Sequence, residues 1–264
     1  ERDFVRIMGE WINVSLERQQ SRDALANYAS SLEKSNTELQ QFAYAASHDL
    51  QEPLRKIQTF GSRIESKYSE LLDERGNEYL KRMLNASGRM QILIQDLLAL
   101  SRVTTQAQPL ADTDLNTVIV GVLADLEIQI EKANANIVVE KLPTIKADNT
   151  QMRQLFQNLI TNGIKFAREN VPPEIIIESE INRGKTIPEV EIRVKDNGIG
   201  FEQKYAEQIF SVFQRLHGRT EYEGTGVGLA LCRKIVERHN GSIYAISQPE
   251  EGATFIVTLP IESN

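Results

Sequence analysis

Apolar residues in the first part of the chain recur at alternating intervals of four and three residues, which is the spacing of a heptad repeat. The positions are Ile7, Trp11, Val14, Arg18, Ser21, Leu25, Tyr28, Leu32, Ser35, Leu39, Phe42 and Ala46. Only Arg18, Ser21 and Ser35 interrupt the series with polar side chains. So long a seam predicts a coiled coil, most simply a parallel homodimer. An amphipathic helix that packs on its own domain is the alternative.

A second helical pattern predicts a helical hairpin. A turn-like cluster, Asp73 to Asn77, follows Leu71 and Leu72. After it, apolar residues recur at helical spacing through Leu80, Met83, Leu84, Met90, Leu93, Leu97 and Leu100. Two such hairpins from two chains would form a four-helix bundle and bury the apolar stripes that one hairpin leaves exposed.

Beyond Pro109 the pattern changes to short β-rich runs mixed with helical stretches. The predicted strands are Ile137 to Glu140, Ile175 to Ile181, Val190 to Lys195, Ser242 to Ser247 and Thr254 to Leu259. The predicted helices are Leu115 to Ala133, Gln151 to Ala167 and Gly228 to His239. Hairpin-like strands near the end favour a mixed sheet with helices on one face. The predicted fold class is therefore multidomain, α and α+β: a long coiled-coil helix, a dimerising hairpin and an α/β sandwich.

Composition narrows the function classes. The 264 residues carry a formal net charge of -7 at a pI near 5.2, which argues against a nucleic-acid partner. Cys232 is the only cysteine, so a disulfide framework is excluded and a reducing, cytoplasmic setting is expected. The longest apolar run, Ile92 to Leu100, is broken by two polar residues and falls short of the ~20 residues that span a bilayer. We expect no membrane insertion in this fragment.

Two glycine-rich segments occur in the α/β region. Asp196-Asn197-Gly198-Ile199-Gly200 follows a predicted strand, and Gly224-Thr225-Gly226-Val227-Gly228-Leu229 leads into a predicted helix. Glycine lets the backbone approach a ligand closely, and a helix N-terminus offers unpaired N–H groups to phosphate oxygens. Neither segment fits a dinucleotide fold, because no βαβ unit with an acidic residue about 20 positions later surrounds it. A flexible turn is the alternative for either loop alone.

Asn158 and Asn162 lie four residues apart on the predicted helix that ends near Lys165. This spacing places both amides on one helix face, with the lysine one turn further. Amide oxygens and a cation suit a magnesium ion that is bound together with a polyphosphate. A polar helix face explains the same pattern equally well.

His48 lies in the run Ser47-His48-Asp49-Leu50-Gln51-Glu52 within a long helical pattern. Histidine is a nucleophile with a pKa near neutrality, and its reaction needs the second ring nitrogen held by an acceptor. Asp49 could provide that acceptor. A surface histidine without a function is the alternative when this segment is considered alone.

Five motifs occur in the order in which they occur in the sensor histidine kinases of two-component systems, and the chain resembles this family from Phe42 to Pro260. The motifs are the His48 segment, Asn158 to Lys165, the Asp196 loop, Phe210 with Phe213, and the Gly224 loop. The His48 segment is similar to that of phytochrome-type and related cyanobacterial photoreceptor kinases. Trp11 to Gln20 resembles the closing helix of a GAF sensory domain, which implies that an upstream sensory domain is missing from this fragment.

The resemblance implies three parts: a coiled-coil signalling linker at 1–41, a dimerisation and histidine-phosphotransfer hairpin at 42–106, and a catalytic ATP-binding domain at 107–264. It implies ATP and Mg²⁺ as cofactors, with Asp196 on the adenine amino group, Asn162 on magnesium, and Asn158 and Lys165 supporting the metal and phosphates. Further residues of the nucleotide site would be Gly198, Gly200, Gly224, Thr225, Gly226, Gly228 and Leu229. The stretch from Phe201 to Glu223 would form a mobile lid, in which Arg215, His217 and Arg219 are candidates for phosphate contact.

The resemblance also implies the reaction. His48 would attack the γ-phosphate of ATP, and the phosphoryl group would pass to an aspartate on the receiver domain of a response regulator. We assign Asp49 as the base, as in the family, and Glu52 as a rival that shares the helix face of His48. Many family members have threonine or asparagine four residues after the histidine to position water, so Glu52 leaves phosphatase activity in question.

Two other functions stay open. One is an ATPase of the same superfamily that drives conformational change without phosphotransfer, and the other is a coiled-coil adaptor that binds no nucleotide. Asn158 argues against the first, because gyrase, mismatch-repair and heat-shock chaperone proteins have a glutamate at the matching position to activate water. Asparagine cannot act as that base, so hydrolysis should be slow.

Overall fold

In the computed structural model, the chain divides into two compact units, Glu1–Asp49 and Leu50–Asn264. The structure describes residues 49–105, 107–182, 184, 188–216 and 224–261, together with Gln19, Arg22, Tyr28, Ser31, Lys34 and Ser47. The described residues of the first unit are all helical. Nearly all of the predicted heptad seam, as well as His48, His217 and Arg219, lies outside the described residues. The coiled coil and its parallel pairing therefore stay predictions.

The second unit begins with the predicted helical hairpin. Helix α1 covers 50–68 and continues into a 3-10 turn at Ser69–Leu71, and helix α2 covers Glu74–Thr105. The predicted turn cluster therefore belongs mostly to the first turn of α2. Its polar side chains satisfy backbone groups there: the Asp73 carboxylate accepts a hydrogen bond from the Gly76 N–H at 2.7 Å, and the Asn77 amide donates to the Ser69 carbonyl at 2.8 Å. Such bonds favour the start of a helix.

The two arms of the hairpin pack through a small apolar cluster of Leu54, Ile94 and Leu98. A hydrogen bond from the Gln58 amide to the Leu84 carbonyl, at 2.9 Å, links the arms further along. Other apolar side chains of the hairpin are exposed in the single chain: Ile57, Phe60, Ile64, Met83, Met90 and Leu93. A four-helix bundle formed with a second hairpin would bury surface of this kind.

The rest of the second unit is an α/β domain. Its described strands are β1 Ala111–Asp114, β2 Asn136–Val139, β3 Thr144–Ala147, β4 Glu174–Asn182, β5 Glu189–Asp196, β6 Ser242–Gln248 and β7 Gly252–Pro260. Its described helices are α3 Leu115–Ala133, α4 Asn149–Lys165 and α5 Gly228–Arg238. Five strands form one sheet in the order β2-β4-β5-β7-β6, in which only β2 and β4 run parallel. The predicted mixed sheet is thus confirmed, and β1 and β3 add a separate antiparallel pair.

Helices α4 and α5 pack on the sheet, and α3 packs on α4. Strand β6 alternates strictly between exposed and buried residues, which is the pattern of a sheet with one covered face. The largest fully buried side chains come from both layers and include Phe156, Leu159 and Ile160 of α4 and Ile175, Ile177 and Ile192 of the sheet. This core fixes the C-terminal end of α4 beside the end of β5. In the described part of the chain, no helix combines the length and the apolar content needed to cross a bilayer.

A buried polar network ties the segment after α2 to the α/β domain. The Asp148 carboxylate is 2% exposed and accepts hydrogen bonds from the Gln108 N–H at 2.9 Å and from the Arg238 guanidinium at 3.4 Å. Arg238 also donates to the Gln108 carbonyl at 2.7 Å. His239 Nε2 accepts from the Asp148 N–H at 3.0 Å, and burial lowers the pKa of this imidazole. The network therefore holds the connecting segment against the start of α4 and the end of α5.

Candidate active site

A cavity of about 370 Å³ lies where the end of α4, the loop after β5 and the start of α5 meet. Most of the residues predicted for a nucleotide site line it: Asn158, Asn162, Lys165, Asp196, Gly200, Arg215, Gly224, Thr225, Gly226, Gly228 and Leu229. Gly198 is not a lining residue. Glu52 lies on α1 and does not line the cavity, and Asp49 belongs to the first unit.

Asp196 ends β5 and presents a carboxylate that the backbone holds in place. Its Oδ1 accepts hydrogen bonds from the Gly198 N–H at 2.9 Å and the Ala253 N–H at 3.1 Å. Burial raises the pKa of Asp196, and these two backbone bonds partly counteract the rise. Among the described residues no group donates to Oδ2, which leaves this oxygen as an acceptor for a ligand.

Gly198 acts behind the cavity wall. A Cβ at this position would lie 2.4 Å from the Phe166 carbonyl oxygen and 2.9 Å from Asp196 Oδ1. Only glycine therefore allows the loop to approach both groups closely enough for its N–H to donate to Asp196. Its N–H helps to orient the Asp196 carboxylate.

Apolar side chains form much of the remaining wall. They are Ile92, Phe166, Ile199, Phe201, Ile209, Leu216, Leu229, Ala253 and Phe255. A mostly apolar pocket with a few polar groups is the usual form of a small-molecule site. Together with the fixed acceptor at Asp196, this wall suits a flat aromatic base that carries an amino group.

Another part of the cavity wall is cationic and contains Lys165, Arg215 and Gly224. The Arg215 guanidinium donates to the Gly224 carbonyl at 2.7 Å, and a Cβ at Gly224 would lie 2.6 Å from Lys165 Nζ. Lys165 Nζ also lies 4.2 Å from the centre of the Phe166 ring. The local positive charge contrasts with the net charge of -7 of the whole chain and suits a phosphate group.

Helix α5 opens at the cavity without a side-chain cap. Its N-cap residue, Val227, makes no side-chain hydrogen bond, and the first helical residues, Gly228 and Leu229, line the cavity. The first N–H groups of a helix have no partner within the helix, and the helix dipole makes this end favourable for an anion. Gly226, with a φ of +76°, lets the loop turn into the helix in a conformation that side chains rarely adopt.

The asparagine pair of α4 faces this end of the cavity. Asn158 Nδ2 is buried and has no hydrogen-bond partner among the described residues. The same side chain lies beside the Cys232 thiol, whose pKa burial raises to about 12. Sulfur is only a weak acceptor, so the amide beside this thiol stays poorly satisfied, which is costly unless a ligand or ordered water satisfies it. Asn158 therefore fits a site that is completed by a bound polar group.

Two family matches decide the identity of the chain. Residues 38–106 match the family described as the His Kinase A (phospho-acceptor) domain. Residues 147–263 match the family described as Histidine kinase-, DNA gyrase B-, and HSP90-like ATPase. Together they include His48 and every residue predicted for the nucleotide site. The chain belongs to the sensor histidine kinases.

Curated relatives agree with this assignment. Phytochrome-like protein Cph1 of Synechocystis sp. is 44% identical to this histidine kinase over 239 residues, which are 90% of the chain and 31% of Cph1. Cyanobacterial phytochrome A of Nostoc sp. has the same identity and coverage. The predicted likeness to phytochrome-type kinases is confirmed, and the chain spans less than a third of the length of these relatives.

A solved structure supports the fold of the kinase. Full-length ShkA, solved in complex with AMPPNP, has a TM-score of 0.65 at 21% identity, over 85% of this chain and 46% of ShkA. At this identity the likeness shows a shared fold. The predicted succession of a helical hairpin and an α/β domain with a mixed sheet is confirmed.

The structure adds cavity residues that the sequence did not predict. Ile92 and Asp96 come from α2 of the hairpin, and Thr161 and Gln214 are polar residues beside predicted ones. The Thr225 hydroxyl donates a hydrogen bond to the Asp96 carboxylate. Burial raises the pKa of Asp96, and the bond from Thr225 partly counteracts this rise. No sequence motif marks Asp96, because it precedes the kinase's nucleotide-site motifs and lies in an ordinary amphipathic helix.

The phenylalanine motif of the kinase supports the cavity from outside. Phe210 is 3% exposed, packs edge-on against Phe255 with ring centres 6.5 Å apart, and lies under the Arg233 guanidinium at 4.5 Å. Phe213 is 54% exposed and has a φ of +65°, which is strained for a residue with a side chain. Neither ring lines the cavity. Ile209, the residue before Phe210, does line the cavity.

Proposed function

We propose that this chain is the kinase core of a sensor histidine kinase that uses ATP to phosphorylate His48 and then passes the phosphoryl group to an aspartate of a response regulator. One observation carries the proposal: a single cavity combines an acceptor in an apolar wall with a cationic, uncapped helix start. The first surface suits the adenine ring and the second suits the polyphosphate. His48 lies in the segment that matches a phospho-acceptor domain.

The proposed orientation of ATP follows from the two surfaces. Asp196 Oδ2 would accept the adenine amino group, while Oδ1 stays bound to the backbone N–H groups of Gly198 and Ala253. Lys165, Arg215 and the start of α5 would contact the phosphates. Since phosphoryl transfer depends mainly on positioning and on neutralising charge, these contacts account for the chemistry expected of the domain.

A magnesium ion fits the phosphate end of the cavity. Asn162 would hold it, with Asn158 beside it on the same face of α4. Among the described residues no three His, Cys, Asp or Glu side chains cluster as a metal site. Magnesium commonly keeps several waters and binds through substrate phosphates, so a site with few protein ligands is consistent with its chemistry. When bound, the ion would neutralise developing charge on the transferred phosphoryl group.

We propose that the kinase acts as a homodimer. The exposed apolar side chains of the hairpin, such as Phe60, Met83 and Met90, support a four-helix bundle. We propose the same boundaries as above: a linker at 1–41, the hairpin at 42–106 and the catalytic domain at 107–264. The end of α2 at Thr105 is consistent with the second boundary. We further propose a cytoplasmic location, where a response regulator would be available.

The proposed chemistry requires a response regulator as a partner, because a phosphohistidine needs an acceptor for its phosphoryl group. ThkA, which has this fold, has been solved in complex with the response regulator protein TrrA, with a TM-score of 0.59 at 24% identity over 89% of this chain and 66% of ThkA. A receiver domain would dock on the hairpin near His48 and accept the phosphoryl group on an aspartate.

Asp49 and Glu52 compete for the role of the carboxylate that holds the second ring nitrogen of His48. Glu52 forms an ion pair with Lys56 at 2.7 Å, one turn further along α1. Both side chains of this pair are exposed, so the pair contributes little, and we keep Asp49 as the base by the resemblance to the family. We expect Asp49→Asn to slow autophosphorylation by about 100-fold, in the range usual for general acid–base residues. Glu52→Gln should slow it much less, as initial rates with labelled ATP would reveal.

An unaffected rate in Asp49→Asn combined with a large loss in Glu52→Gln would exchange the two roles. The Lys56→Gln variant is a matched control, because it removes the ion pair between Lys56 and Glu52 without altering either carboxylate. In a chain that keeps Asp49, Lys56→Gln should leave the autophosphorylation rate nearly unchanged.

The second candidate function is an ATPase that does not transfer phosphate to histidine. Incubation with labelled ATP and magnesium separates the possibilities. Acid-labile, base-stable label on the protein supports the kinase, and phosphate release without labelling supports the ATPase. A protein that binds no nucleotide would instead be an adaptor. Asn158 favours the kinase, because its amide cannot activate water as a base.

A further inference from the structure

Helix α2 of the hairpin forms part of the wall of the nucleotide cavity. Its residues Ile92 and Asp96 line the cavity together with the Gly224 loop. The Thr225 hydroxyl donates to Oδ2 of Asp96, across 129 positions of sequence. This hydrogen bond joins the hairpin directly to the loop that the proposed function assigns to phosphate binding.

The bond uses polar groups that the phosphate end of ATP would need. Thr225 lies between Gly224, whose carbonyl accepts a bond from Arg215, and Gly226, whose left-handed backbone leads into α5. A carboxylate and a phosphate are both anionic acceptors for such a hydroxyl. Asp96 also places a negative charge beside the cationic surface, where it would repel a polyphosphate.

A buried hydrogen bond further along α2 fixes the position of the contact between Asp96 and Thr225. The Gln151 amide at the start of α4 donates to the carbonyl of Val103 at 2.9 Å, and both groups are buried. Val103 follows Asp96 by seven residues, so the two lie on one face of α2. The end of α2 is thus held by the domain, whereas Asp96 is only half-buried and belongs to neither apolar core cluster.

We propose that Asp96 is an autoinhibitory latch, which holds the Gly224 loop against α2 and must release Thr225 before ATP can bind tightly. This inference rests on the proposed nucleotide site. In the latched arrangement, the Thr225 hydroxyl is bonded to Asp96, and the Asp96 carboxylate lies at the cationic end of the cavity that the phosphates of ATP would occupy. In the released arrangement, the hydroxyl and the start of α5 are available to the phosphates.

A latch lowers the apparent affinity for nucleotide by the fraction of molecules that are competent to bind. If about nine molecules in ten are latched, the apparent affinity is about tenfold weaker than the intrinsic affinity. We therefore expect Asp96→Ala to tighten binding of the non-hydrolysable analogue AMPPNP with magnesium by about tenfold. Asp96→Asn keeps a neutral acceptor for Thr225, and since neutral bonds are about half as strong, it should give a smaller gain of about threefold.

The measurement is isothermal titration calorimetry on the whole chain, with thermal unfolding to confirm that each variant is folded. Glu78→Ala is the matched control, because Glu78 is an exposed acidic residue of α2 that pairs with Arg82 and does not line the cavity. It should bind AMPPNP like the wild type. Equal affinities in the wild type, Asp96→Ala and Asp96→Asn would overturn the latch.

A double-mutant cycle separates the hydrogen bond from simple charge repulsion. Thr225→Ala removes the hydroxyl that Asp96 holds, so in that background Asp96→Ala should tighten binding by clearly less than about tenfold, because only the charge repulsion is left to remove. An equal gain in both backgrounds would mean that Asp96 acts through its charge alone and would contradict the latch. Absence of any binding by the wild type would instead count against the proposed nucleotide site, so the two failures are distinguishable.

Discussion

Replacing Asp196 with asparagine is expected to weaken ATP binding by at least about 100-fold, on the energies of charged hydrogen bonds and buried unpaired donors. Oδ1 of Asp196 is fixed by the N–H groups of Gly198 and Ala253, so an asparagine would keep its oxygen there. Its NH₂ group would then face the amino group of adenine, and two donors would meet in an apolar wall. Calorimetry with ATP measures the loss.

Two comparisons make this prediction specific. Guanine carries a carbonyl oxygen where adenine carries its amino group, so Asp196→Asn should reduce the preference for ATP over GTP. Asp112→Asn is the matched control, because Asp112 is an exposed aspartate that pairs with Lys146 at 3.0 Å, and such surface pairs contribute little. Retention of both ATP affinity and base preference in Asp196→Asn would show that the adenine lies elsewhere.

Replacing Asn162 with alanine is expected to reduce the rate of magnesium-dependent autophosphorylation by at least about 100-fold, because a magnesium ion held by Asn162 would supply several kcal/mol of charge stabilisation in the transition state. Binding of ATP in EDTA should change little, since Lys165, Arg215 and the start of α5 remain. Labelling rates measured over a series of magnesium concentrations would separate the two effects. The variant should need more magnesium to reach half of its maximal rate.

Gln157→Ala is the control for Asn162→Ala. Gln157 lies on the same helix, next to Asn158 in sequence, but does not line the cavity. Its substitution should leave the magnesium dependence unchanged. A wild-type magnesium dependence in Asn162→Ala would remove Asn162 from the metal site.

Local signals were sufficient to predict most of the α/β domain. Helix α3 has the bounds predicted from the sequence, because the Asp114 carboxylate caps its start through the Asn116 N–H at 2.9 Å and Asn134 turns left-handed at its end. Strands β1 and β3 were not predicted. Each has only four residues, and β1 contains two aspartates and no apolar alternation, so its pairing depends on a partner thirty or more positions away.

The candidate site likewise contains residues that could be predicted from the sequence and residues that could not. Asn158 and Asn162 could be predicted from their spacing on one helix face, and the resemblance to histidine kinases implied Asp196. Asp96 and Ile92 could not, since they reach the cavity only through the packing of α2 against the α/β domain. The sequence also marked Phe210 and Phe213 without distinguishing them, whereas the structure buries the first and exposes the second.

The central claim is that His48 receives the phosphoryl group, and the histidine content of the chain makes this directly testable. The chain has three histidines, and His239 is buried with Nδ1 bonded to the Ile235 carbonyl at 2.7 Å and Nε2 bonded to the Asp148 N–H. The measurement is to incubate the protein with ATP and magnesium and to map the phosphate by mass spectrometry of peptides kept at alkaline pH. We predict phosphate on the peptide that contains His48 and none in the His48→Gln variant. Phosphate on His217 or His239, or undiminished phosphorylation of His48→Gln, would contradict the account.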